Sequence, residues 1–137
     1  MEINVLIEEG LEGYLEVSWL RSVVEQVLVA QDADFRVELG LVITNQERVQ
    51  QLNRSYLGRN EPTDVLAFSM LPEPLTTGES EAFSPFAQPL DGMLHLGEVI
   101  ISYPQAVLRA VEDEMLVDDK IDELVVHGLN NLIGKGG

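Results

Sequence analysis

The sequence predicts a small α+β domain, and three observations carry that reading. Apolar residues recur with a period of two at Ile3, Val5 and Ile7 and again at Phe35, Val37, Leu39, Leu41 and Ile43, as half-buried strands require. Between these stretches Leu20, Val23, Val24, Val27 and Leu28 fall at i, i+3, i+4, i+7 and i+8, one face of an amphipathic helix. The full order reads strand, helix, strand, helix, strand, loop, strand, helix, helix, which packs a small mixed sheet against helices through short connections. No internal repeat or heptad run competes with it.

The first helix spans about residues 17–30, between the two alternating segments. After the second strand, Thr44 to Glu47 fits a Thr-x-x-Glu capping box, in which the hydroxyl takes a free amide of the first turn and the carboxylate reaches back. A short helix carrying Val49, Leu52 and Tyr56 follows, ended by Pro62. Residues 64–70 and 94–102 form two further strand-like runs. Between them, residues 71–93 hold four of the six prolines and read as a long loop, since neither flank is large enough to fold alone. Pro104 suits the first position of a helix bearing Ala106, Val107, Ala110 and Val111. The last helix covers about residues 118–133 and is apolar on most of its circumference near its end. That predicts a central, buried helix with Gly134 as its stop.

At 137 residues the chain is one domain, residues 1–137, and its 45% hydrophobic content suffices for a core. Eight basic residues against 24 acidic ones leave a net charge of −16. Such acidity argues against broad nucleic-acid coating, which is driven by Lys and Arg releasing counterions, so any RNA contact must be a local patch. Cysteine is absent, which removes disulfides, thiolate zinc sites and a cysteine nucleophile together. The acidic start, Met1 to Gly10, does not read as a secretory signal, and no apolar run approaches the ~18 residues of a membrane span. A cytoplasmic protein without membrane contact is the expectation.

Two stretches can carry chemistry. His127 sits in the apolar last helix, followed at once by Gly128, a residue that costs ~1 kcal/mol in a helix and marks close approach of a neighbour. Asn131 lies one turn later on the same face, at the i, i+4 spacing of helical zinc motifs. His127 reads either as a metal ligand or as a core histidine bonded to a neighbour. In the second stretch, Arg48, Arg54 and Arg59 fall within twelve residues that contain no acid. This window reads as a phosphate contact or as a solvated helix face running into a turn. The seven acids of residues 112–123, with Lys120 among them, read as a solvated face, and His95 as a strand residue on the polar side.

Three blocks together resemble the bacterial YbeY family: Leu52-Asn53-x-x-Tyr56 with Pro62-Thr63-Asp64-Val65-Leu66-Ala67-Phe68, then Leu96-Gly97-Glu98-Val99-Ile100-Ile101-Ser102, then Glu123 to Leu129 around His127 and Gly128. The resemblance implies an α+β domain with a zincin-like active helix. It also implies a zinc-dependent, single-strand-specific endoribonuclease of 16S ribosomal RNA maturation, with the small ribosomal subunit as partner and no DNA. In the family three histidines hold the zinc. Here the resemblance makes His127 the first ligand and puts Asn131 and Gly137 at the other two positions, so zinc is expected to be weak or absent. It also implies that the chain stops where relatives continue with another helical segment. The family's arginine after the motif tyrosine is Leu57 here, with Arg59 two positions on, so Arg59 is a catalytic candidate and Arg54 and Arg59 are RNA contacts. Alternatives are a non-catalytic ribosome-assembly protein of the same fold, an inactive truncated product and, last, a metallopeptidase, which would place a glutamate where Gly128 stands.

Overall fold

The structure is a computed structural model and describes residues 1–31, 36–59, 63–70 and 94–133. Its elements are β1 (Glu2–Ile7), α1 (Val17–Ala30), β2 (Val37–Thr44), α2 (Gln46–Leu57), β3 (Val65–Ser69), β4 (Leu94–Ser102), α3 (Tyr103–Glu112) and α4 (Val117–Leu132). The order and types are those the periodicity predicts. Phe35, Pro62, the loop at residues 71–93 and Gly134 lie outside the described residues.

The four strands form one sheet in the order β1-β2-β4-β3, with β1, β2 and β4 parallel and β3 antiparallel to β4. The alternating residues Val37, Leu39, Leu41 and Ile43 of β2 are buried on one face, where Leu20, Val24 and Leu28 of α1 and Ile121, Val125 and Leu129 of α4 complete the main core. The opposite face is covered only in part. There α2 lays Val49 on Leu66 of β3 and Ile100 of β4, with Val42, Leu52 and Phe68 around them. From Val99 to Ser102 strand β4 is therefore buried on both faces, while Glu98 before it stays exposed on the open part.

One irregularity sets which residues of β4 face which core. Glu38 opposes His95, but the next residue, Leu39, opposes Gly97, so Leu96 is an extra residue in β4. Gly97 adopts φ +130, and a Cβ there would fall 2.0 Å from the Phe68 carbonyl oxygen. Only glycine fits that bulge. The slip keeps Leu96, Val99 and Ile101 in the main core while His95 and Glu98 stay on the other face.

Three local expectations need correction. The N-cap of α2 is Asn45, whose side chain accepts the Arg48 amide at 2.7 Å, and not Thr44. Thr44 pairs with Ser102 as the last residue of β2, and its hydroxyl donates to Glu8 at 3.1 Å. The helix α2 ends at Leu57, five residues before Pro62, because Gly58 takes a left-handed conformation at φ 71. Finally, α4 is not apolar nearly all round. It packs on the sheet and on both α1 and α3, yet keeps an exposed stripe at i, i+4 spacing that runs through Asp119, Glu123, His127 and Asn131.

The acidic stretch after α3 is tied down at one point. Lys120 is buried, and its Nζ donates to Asp113 at 2.5 Å and to Glu123 at 3.1 Å. Those two hydrogen bonds raise its pKa above the ordinary 10.5, outweighing desolvation by burial, which lowers it. Tyr103 is also raised above its usual 10.0, mainly by desolvation.

Two outcomes follow for stability. Gly97→Ala is expected to cost at least about 3 kcal/mol in urea unfolding, since backbone strain and overlap add; Gly128→Ala should cost less, its overlap being partly offset by ~1 kcal/mol of helix propensity. Lys120 favours its charged form when folded, so its contribution is complete below pH 10.5 and is lost as pH rises through the raised value. Lys120→Met should therefore be less stable than the parent at neutral pH and show a shallower alkaline decline, with Tyr103 supplying what remains.

Candidate functional site

The position of α2 is set from both ends. Glu8, just past β1, accepts from Thr44 Oγ1 and, at 2.8 Å, from Asn45 Nδ2, which fixes the start of the helix against the sheet edge. At the other end the amides of Gly58 and Arg59 both donate to the Asn53 carbonyl oxygen, so the chain reverses sharply there. Arg54, Tyr56 and Arg59 are all exposed around this reversal. The Tyr56 ring is 70% exposed, yet its centroid stands 5.3 Å from that of Phe68 at 64°, an edge-on contact that holds it in place.

The guanidinium groups of Arg48, Arg54 and Arg59 make no hydrogen bond or ion pair with any described residue. Other cations are committed elsewhere: Arg21 to the Ile3 carbonyl, Arg109 to Asp64 at 3.8 Å, and Lys120 to its two carboxylates. The arginine window is thus a solvated helix face that leads into a turn, its guanidinium groups unpaired among the described residues.

On α4, His127 and Asn131 are both exposed, one turn apart on the same stripe, so His127 is not a core histidine. Asn130 turns away and accepts from Gln31 of α1 at 3.3 Å. Gly128 explains how α4 lies so close to the sheet: a Cβ there would meet Val99 Cγ1 at 2.6 Å and Val65 Cγ2 at 3.2 Å. The glutamate of a zincin peptidase cannot occupy that position without displacing the helix. Gly137 lies outside the described residues.

The metal expectation can be tested on the donors present. Among the described residues no group of three His, Asp or Glu converges; on α4 His127 has the Asn131 amide one turn after it and Glu123, which accepts from Lys120, one turn before it. Three protein ligands are the usual minimum for a catalytic zinc, so this set by itself does not fit one. No hydrogen bond or ion pair among the described residues joins His127 to Arg54 or Arg59.

Some polar features had no signal in the linear pattern. His95 does lie on the polar side of β4, as expected, and it is bonded to Glu38 across the parallel pairing with β2. Only the strand register brings that pair together. Two cavities, of about 420 Å³ and about 480 Å³, lie over the sheet face that α2 leaves open, and Leu6, Val42 and Glu98 line both. Exposed Tyr56 was legible only as a helix-face residue, because its exposure depends on where Phe68 ends up.

Comparison with known proteins points one way. Residues 12–134 match the family model described as Endoribonuclease YbeY. The chain is 44% identical over 137 residues to an Endoribonuclease YbeY of Dehalococcoides mccartyi, covering 98% of this chain and 77% of that one. It is 30% identical over 132 residues to the Endoribonuclease YbeY of a Roseiflexus species, covering 96% and 77%. A solution structure of a Thermotoga maritima protein superposes with a TM-score of 0.56 at 20% identity, covering 95% of this chain and 71% of that one, which supports the fold.

Proposed function

The chain belongs to the YbeY family of endoribonucleases, and on that premise we propose that it acts on single-stranded ribosomal RNA in 16S maturation, in the cytoplasm and with the small ribosomal subunit as partner. The observation that carries this reading is the match to relatives of that name along nearly the whole chain. Its physical support is the placement of open guanidinium groups on an otherwise acidic molecule. In the proposal Arg54 and Arg59 hold RNA phosphates, and Arg59 steadies the charge that develops on phosphorus during cleavage.

His127 is the residue we assign to the metal. Zinc would supply a polarised phosphate oxygen or an activated water, but the described donors do not make up a catalytic zinc site. Asn131 is the position that weakens the site. An amide oxygen is a poor zinc donor, whereas a second imidazole at i, i+4 would make a chelating pair.

Zinc affinity and RNA cleavage can be read on the same preparations. Competition against a chromophoric chelator should show weak zinc binding by the parent chain, a gain of at least about tenfold in Asn131→His, and loss of that gain when His127 is also replaced by Ala. Cleavage of a single-stranded 16S fragment should be slow in the parent and faster with zinc in Asn131→His. Unchanged zinc affinity in Asn131→His would remove His127 from the metal site. Cleavage of duplex and single strand at equal rates would overturn the substrate assignment.

A further inference from the structure

Tyr56 is used by none of the chemistry above, and it combines two properties that rarely coincide. Its ring is 70% exposed, and it is nevertheless held by an edge-on contact with Phe68, at 5.3 Å between centroids. A free surface tyrosine loses rotamer entropy when a ligand stacks on it; a ring already braced loses less. Phe68 is itself positioned by β3 and by the small core beneath α2, so the brace is continuous with the fold.

The surroundings specify what the open ring face suits. Arg59 follows Tyr56 across the left-handed Gly58, and Arg54, two residues before Tyr56, projects from the other side of the same last turn of α2; neither guanidinium has a partner among the described residues. On a chain of net charge −16, uncommitted cations gathered at the same helix end as an exposed aromatic match an anionic polymer that also carries flat apolar faces. Single-stranded nucleic acid has both: phosphates for the arginines and an unstacked base for the ring. Over the sheet, Glu8, Glu9 and Glu98 line one cavity with Arg48 as the one cation among the described residues there, so phosphates are favoured less there than at the exposed end of α2.

We infer that Tyr56 is a base-stacking platform: one nucleobase of a single-stranded RNA lies on its open face while Arg59, just past the turn, holds an adjacent phosphate and Arg54 holds one as the strand passes round the end of α2. The inference rests on the RNA-directed reading above and adds a residue that senses bases where the arginines sense only charge.

Fluorescence anisotropy of a short labelled oligoadenylate, with an abasic ribose-phosphate oligomer of equal length beside it, separates the two roles when chelator is present to stop cleavage. Tyr56→Ala should weaken oligoadenylate binding about tenfold and leave the abasic oligomer unaffected, while Tyr56→Trp retains the parent affinity. Arg54→Ala and Arg59→Ala should weaken both oligomers alike and each lower the salt slope by about one. Equal oligoadenylate binding by the parent and Tyr56→Ala, with the arginine variants impaired, overturns the platform and leaves the RNA reading standing. If the parent binds no oligoadenylate at all, both fall. Because Tyr56 is mostly exposed, its truncation removes one ring contact and leaves the cores intact.

Discussion

The close approach of Gly97 to the Phe68 carbonyl is the constraint on which the rest of the molecule depends. Strand β4 is the only one that pairs on both sides with strands of opposite direction, β2 parallel and β3 antiparallel. It must also supply apolar side chains to two cores of different size. An unbroken alternation cannot do that from Leu94 to Ser102, because Leu96 and Val99 would then point to opposite faces. The extra residue at the bulge resolves the conflict. Glycine at φ +130 is what lets the backbone take it, with Leu132 of α4 closing over the same spot.

Both candidate regions follow from this arrangement. The small core above the bulged strand seats α2, whose exposed end carries Tyr56 and the uncommitted arginines. The large core seats α4, with Gly128 drawn down onto Val99 and Val65 so that His127 and Asn131 are left on the outer stripe. The two glycines thus perform similar tasks on neighbouring elements: each removes a Cβ so that a backbone can settle against β4. Charge is distributed by the same logic. Lys120 and Arg109 are committed to acids of the fold, whereas Arg48 and Arg54 of α2 and Arg59 just past it have no partner among the described residues.

Much of this was legible in the linear sequence where a period or a local rule was strong. The boundaries of α1 and β4 follow from residue patterning alone, and the element order follows from the switches between periods of two and 3.6. Errors arose where two local rules competed. Thr44 satisfies a capping-box pattern, but ladder pairing with Ser102 holds it in β2 and passes the cap to Asn45. Pro62 is a recognised helix breaker, but Gly58 acts first. The apolar end of α4 suggested burial for His127, whereas the helix turns its one polar stripe outward at that residue. The pairing of His95 with Glu38 and the brace of Phe68 on Tyr56 depend on register between distant strands, which no window of the sequence contains.

Among the described residues the sheet ends on β1 at one margin and on β3 at the other. Unpaired strand edges invite another chain to add on, and a six-residue parallel margin such as β1 is a ready template for it. Here a molecule of charge −16 meets its own copy with strong mutual repulsion, and Glu2 stands on that margin. The acidity that leaves so little surface for RNA thereby acts as a colloidal safeguard. Screening by salt relaxes that safeguard, and self-association of the folded protein is accordingly a matter of ionic strength as much as of concentration.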